Sequence, residues 1–170
     1  MIQELFSKPI VIFGCGNTLF GDDGFGPEVI EYLQGRFRIP EAVAVVDIGT
    51  SISDILFDYL LAPTKPSHIF IVDAMSRPGR APGELFELEI EDVPANKSSD
   101  FSLHQFPSVN MLLELRNAAG VNVHVLAVQI REIPDVVQPG LSPEVKAAVP
   151  VACEWLLERV GELLGSGSLK

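Results

Sequence analysis

The stretch Pro9-Ile-Val-Ile-Phe-Gly14-Cys-Gly16-Asn17-Thr-Leu-Phe-Gly21-Asp22-Asp23-Gly24-Phe-Gly26-Pro27-Glu28-Val-Ile30 decides the fold. Ile10 to Phe13 is an apolar run that reads as a buried strand over about residues 9–14. The chain then enters a glycine-rich turn, passes two adjacent carboxylates and opens a helix from near Asp23 to about Phe37. Phe25, Val29, Ile30 and Leu33 recur in that segment at helical spacing. Pro27 suits a first turn, where no backbone N–H is needed. Aspartates at a helix start face free N–H groups and a partial positive charge, which is one reading of the pair. The other is that one of them points into a cleft, where flanking glycines let a ligand or a second backbone come close.

Working outward, the same pattern repeats. Ala42 to Asp47 is a second apolar run closed by an acid, and Ile48-Gly49-Thr50-Ser51 is a turn whose Thr50 or Ser51 is placed to cap a helix over 52–61. Pro63 and Pro66 end that helix. His68 to Val72 is a third apolar run, again closed by an acid, Asp73. Strands alternating with helices predict βαβ units and a mainly parallel sheet. Glu84 to Glu91 alternates polar and apolar and predicts an antiparallel edge strand with one wet face. A helix over roughly 106–119 is stopped by Gly120, and Asn122 to Ile130 is the last strand. Residues 131–141 read as a loop, and Ser142-Pro143 as the N-cap and first residue of a helix running to about Leu164. The expected architecture is therefore α/β: three layers, a five-stranded mainly parallel twisted sheet with one antiparallel edge strand, and helices on both faces. One domain covers 1–164, and 165–170 is a flexible Gly-Ser tail.

Composition narrows the function. Hydrophobic residues make up 47% and charged residues 21% of 170, as in a folded globular chain. No apolar run reaches the roughly 18 residues that cross a bilayer, and the first eight residues do not read as a secretory signal. The expected location is the cytoplasm. A formal net charge of −11 argues against nucleic acid and anionic membrane as partners and favours a cationic or metal-loaded one. The surplus of surface acids also points to a monomer. Cys15 and Cys153 form neither a disulfide framework nor a CxxC metal site; each reads as a small buried hydrophobe.

In parallel α/β sheets, ligands bind beyond the C-terminal strand ends. Asp22 and Asp23 follow the first strand, Asp47 ends the second and Asp73 ends the third, so four acids gather at one edge of the sheet. Each alone is explained as a turn former or cap; together, beside a glycine-rich turn, they favour a site. His104 stands at a loop–helix junction, whereas His68 and His124 lie in strands and read as packing residues. Two carboxylates and an imidazole would supply an O,O,N donor set suited to nickel or zinc, although spacing alone leaves their convergence open. The competing reading is a dinucleotide site built on Gly14-x-Gly16 with Asp47 at the ribose. The fingerprint then needs a glycine where Leu19 stands, and Asp22 and Asp23 would repel a pyrophosphate.

The run Gly14-x-Gly16-Asn17-x-Leu19-x-x-Asp22-Asp23-Gly24-x-Gly26, followed by Asp47-x-Gly49-Thr50, Val72-Asp73-Ala74 and His104-Gln105, resembles the hydrogenase maturation endopeptidases along nearly the whole chain. It is most similar to the branch serving the coenzyme F420-reducing hydrogenase of methanogens. The resemblance implies a five-stranded sheet between helices and one reaction, removal of a short C-terminal extension from a [NiFe] hydrogenase large subunit after nickel insertion. It implies metal ligands and catalytic residues at Asp23, Asp73 and His104, with Asp23 standing where relatives often carry glutamate. It implies that Gly16, Asn17, Asp22, Asp47, Gly49 and Thr50 shape the cleft, although Ile48 replaces a frequent glycine. The metal would be nickel brought by the precursor, and zinc or cadmium would be able to replace it. The alternative of another class is a checkpoint or chaperone module that senses nickel and cuts nothing.

Overall fold

Every residue of β1 (Ile10–Cys15) is buried, because this strand has a neighbour on each side and helices over both faces. In the computed structural model, which describes residues 2–92 and 109–165, β1 pairs in parallel with β2 (Val43–Gly49) and with β3 (His68–Met75). Strand β5 (Asn122–Gln129) continues the parallel set beyond β3, and β4 (Leu85–Leu88) closes it antiparallel, giving the order β2-β1-β3-β5-β4. Strands covered on both faces need no polar alternation, which is why they read as continuous apolar runs.

The two faces carry separate cores. Val11, Phe13 and Cys15 share one with Ile69, Ile71 and Ala127. It is covered by α1 (Ile2–Ser7), α3 (Ile52–Leu61) and α4 (Val109–Asn117) through Leu5, Leu56, Tyr59, Leu112 and Leu115. Ile10 and Ile12 share the other with Phe70, Val72 and Leu126, beneath α2 (Phe25–Arg36) and α5 (Pro143–Gly165). The expected three-layer α/β architecture is the one observed. Among the described residues, no helix is long and apolar enough to cross a membrane.

Several boundaries differ for physical reasons. The helix expected from Asp23 begins at Phe25, because Gly21–Gly24 winds as a 3₁₀ turn that buries both carboxylates. The edge strand expected over 84–91 stops at Leu88, where the chain turns through a short 3₁₀ segment, Ile90–Asp92, to bury Ile90. Ser51 occupies the N-cap position of α3, yet its side chain makes no capping bond; its carbonyl accepts from the Asp54 N–H at 3.2 Å. Helix α1 carries no signal in its own sequence. Its anchor is Tyr59, whose hydroxyl donates to the Leu5 carbonyl at 2.8 Å while the Phe6 ring packs edge-on at 5.0 Å. Residues 166–170, and with them most of the expected tail, lie outside the described residues.

Candidate functional site

Helix α2 leaves β1 over one face to reach β2, whereas α3 returns over the other face and carries the chain past β1 to β3. The crossovers therefore part at the C-terminal ends of β1 and β3, where open α/β sheets form a crevice. Two glycines bring α2 down onto that point. A Cβ on Gly14 would lie 2.5 Å from the Gly26 carbonyl oxygen, and one on Gly26 would lie 2.6 Å from the Val72 oxygen and overlap the Cys15 carbonyl. The 3₁₀ turn bearing Asp22 and Asp23 is thereby set against the end of β3.

The two adjacent aspartates have different tasks. Asp23 is fully buried, and its Oδ2 accepts the Asn17 N–H at 3.0 Å. Asn17 in turn uses its Oδ1 to accept the Leu19 N–H at 3.0 Å, so the glycine turn is wound around Asp23. Gly16, at φ 139°, has no room for a side chain, since a Cβ would overlap the Asp23 carbonyl. Its N–H donates to the Gly49 carbonyl at 3.0 Å and ties the turn to the end of β2.

Asp22 faces the other way. Its Oδ2 accepts from the Arg131 N–H at 2.8 Å, the Glu132 N–H at 3.4 Å and the Ser142 hydroxyl at 2.9 Å, and its Oδ1 accepts from the Ser142 N–H at 2.7 Å. A buried carboxylate is tolerated when such donors replace its water. Ser142 stands at the start of α5, where the Lys146 N–H reaches its carbonyl at 2.8 Å, but its hydroxyl is given to Asp22 rather than to the helix. The segment from 131 to 142, read in the sequence only as a loop, is thus bound to the turn. Backbone bonds reinforce the attachment: Gly21 N–H to the Gln138 carbonyl at 2.9 Å, and Gln138 N–H to the Leu19 carbonyl at 2.8 Å. The Pro134 ring packs where a Cβ on Gly21 would sit, a contact that no local sequence signal announces.

The strand-end acids diverge. Gly14 is level with both Asp47 and Val72. Asp73 therefore lies one residue further along β3, on the face shared by Ile69, Ile71 and Met75. It is fully buried, and its Oδ1 accepts the Ala74 N–H at 2.8 Å. Cys15, also fully buried, belongs to that same face. Asp47 lies on the opposite face and is exposed; its Oδ1 accepts the Gly49 N–H at 2.9 Å in a local turn, and Thr50 follows exposed. The four acids share one edge of the sheet, but Asp47 does not join the buried pair.

His104 lies outside the described residues; α4, which follows it, packs on the face that carries Asp73. Among the described residues, no group of three His, Cys, Asp or Glu is arranged to hold a metal ion. The arrangement presents two buried carboxylates, from the turn and from β3, at the switch point of the sheet. Hard oxygen donors of this kind suit a divalent metal completed by a further ligand. They do not suit a pyrophosphate, and Leu19 stands half exposed where the dinucleotide fingerprint needs its third glycine. The remaining histidines are structural: the His68 Nδ1 and His124 Nε2 atoms lie 3.3 Å apart, and the His124 ring stacks on Phe70 at 4.4 Å.

Comparison with known proteins identifies the family. A family model described as hydrogenase maturation protease matches residues 27–159. The coenzyme F420 hydrogenase subunit delta of Methanothermobacter thermautotrophicus is 34% identical over 161 residues, covering 92% of this chain and 97% of that protein. The hydrogenase 2 maturation protease of Escherichia coli is 31% identical over 155 residues, covering 90% and 91%. Among solved structures, the hydrogenase maturating endopeptidase HybD from E. coli superposes with a TM-score of 0.72 at 29% identity, over 93% of both chains. With the fold and these relatives in agreement, the chain belongs to the hydrogenase maturation protease family, a family of hydrolases.

Proposed function

We propose that this protein is a nickel-dependent endopeptidase that removes a C-terminal extension from the large subunit of a [NiFe] hydrogenase, of the F420-reducing type, once nickel has been inserted. The observation that carries the reading is the buried pair Asp23 and Asp73 at the β1/β3 switch point of a chain of this family. In this reading the nickel arrives with the substrate. Asp23, Asp73 and His104 engage the metal held by the precursor, which reports that insertion is complete and sets the scissile bond in the crevice. Hydrolysis then breaks the C–N bond, with water giving its hydroxyl to the carbonyl carbon and its proton to the departing amine. Asn17 keeps Asp23 oriented by donating its N–H to Oδ2. The F420-reducing assignment draws support from the 34% identity to a coenzyme F420 hydrogenase subunit. The protein would act in the cytoplasm as a monomer.

The test is intact mass spectrometry of nickel-loaded and nickel-free large-subunit precursor after incubation with the enzyme. Loss of a C-terminal peptide from the loaded precursor alone is the expected result. Cleavage of both forms would remove the nickel gate. Binding of the loaded form with no mass change would replace the endopeptidase by a checkpoint module.

A further inference from the structure

Three aliphatic side chains on the segments beside the site are exposed: Leu19, Val136 and Val137, at 47%, 60% and 63%. They come from segments far apart in sequence but are held together. Phe20 and Gln138 form a parallel bridge, closed by the Gln138 N–H to the Leu19 carbonyl and the Gly21 N–H to the Gln138 carbonyl. That register sets Leu19 beside Val137. The backbone beneath the patch is also tied to the turn around Asp23, because the Leu19 N–H is held by the Asn17 side chain and the Asn17 N–H by the Asp23 carboxylate.

We propose that Leu19, Val136 and Val137 form the surface on which the hydrogenase large-subunit precursor docks, through an apolar segment flanked by basic side chains. The proposal rests on the substrate class argued above. A macromolecular occupant is favoured by shape: the cavity beside the patch, lined by Asp22, Pro134, Gln138 and Leu141, holds about 150 Å³. A drug-sized ligand needs roughly 300 Å³ or more. Basic flanks are favoured by the rim. Glu132 and Asp135 are exposed there, while the neighbouring cation, Arg131, is drawn to Glu144 at 3.4 Å. Clustered exposed apolar residues with a polar rim mark protein contact surfaces.

The experiment compares wild type, Leu19→Ser, Val137→Ser, the double variant and Val151→Ser. Val151 is an exposed valine on α5 away from the patch. Binding to nickel-loaded precursor of the F420-reducing large subunit is read by interferometry, and cleavage by intact mass. The double variant is expected to weaken binding about tenfold or more, with its Tm within about 1 °C of wild type. Val151→Ser should bind as the wild type does. A double variant that binds within twofold of wild type overturns the docking surface, whether or not the precursor is cut, and so does a wild type that does not bind. Weakened binding in a series where no protein cuts the precursor supports the surface and refutes the endopeptidase.

Discussion

Replacing Asp22 by asparagine tests the most heavily bonded carboxylate of the fold. The wild-type side chain is 1% exposed and accepts four bonds, three at Oδ2 and one at Oδ1. The amide keeps one acceptor oxygen and turns an NH2 toward donors, so whichever way it sits at least one backbone N–H loses its partner. Bonds to a charged acceptor are worth about 1.5–3 kcal/mol each, and a buried donor left unsatisfied costs about 1–3 kcal/mol. Because the bonds share one group and are not additive, the expected loss is about 2–4 kcal/mol. For a chain of this size, about 2–4 °C of Tm accompanies each kcal/mol, which gives a drop of about 4–16 °C. The assay is urea unfolding of wild type and Asp22→Asn, with amide exchange followed at Arg131, Glu132 and Ser142. Those amides should become exchangeable through a local opening, while those of β3 lose only what the fall in global stability takes from them. A stability change under about 0.5 kcal/mol, or unchanged protection at the three amides, would refute the view that Asp22 fastens the loop to the turn.

Other consequences are open to equally direct checks. Asp23→Asn and Asp73→Asn should retain the fold by circular dichroism and lose cleavage of nickel-loaded precursor, by at least about a hundredfold for a group acting at the reacting centre; full activity in either would remove that residue from the site. Gly26→Ala should cost about 3 kcal/mol or fail to fold, since its Cβ has the Cys15 and Val72 carbonyls in its way; a urea midpoint equal to wild type would show that α2 can lift. The His68–His124 pair predicts acid sensitivity. Burial, and then the neighbouring His124, lowers the pKa of His68, and burial lowers that of His124 against the pull of Glu87. The unfolded chain therefore takes up more protons as pH falls, so this contribution to stability is whole above the ordinary value of 6.5 and is lost on descending through it. The urea midpoint should fall between pH 7.5 and 5, and His68→Leu should flatten that fall.

The elements that could be read from residues were those whose cause is local. Helix α3, at Ile52–Leu61, is bounded by its own flanks: a Gly-Thr-Ser turn precedes it and two prolines follow. The central strands β1 and β3 were visible because full burial leaves an unbroken apolar run, and the edge strand β4 because one wet face leaves an alternating one. What escaped depends on partners distant in sequence. Asp22 and Asp23 are chemically identical neighbours. They part only because Asp22 meets donors 109 to 120 residues away, while Asp23 takes up an N–H six residues back. The divergence of Asp47 and Asp73 needed strand register: Gly14 is level with Asp47 but with Val72, and one residue of offset turns a side chain to the other face. Helix α1 is too short to announce itself by period and is held by Tyr59 across the core.

The bond network between the first turn and the loop before α5 also bears on how the protein comes into being. Asp22 leaves the ribosome 120 residues ahead of Ser142, which supplies two of its donors. Closing a loop of this length is entropically costly and is repaid only when its distant partners are present. A nascent chain that has completed β1 to β4 therefore carries the carboxylates without the segment that fastens them. The turn beside the crevice is thus fastened only after the sheet strands β1 to β5 have been made, so its final geometry waits on a segment remote from it in the chain.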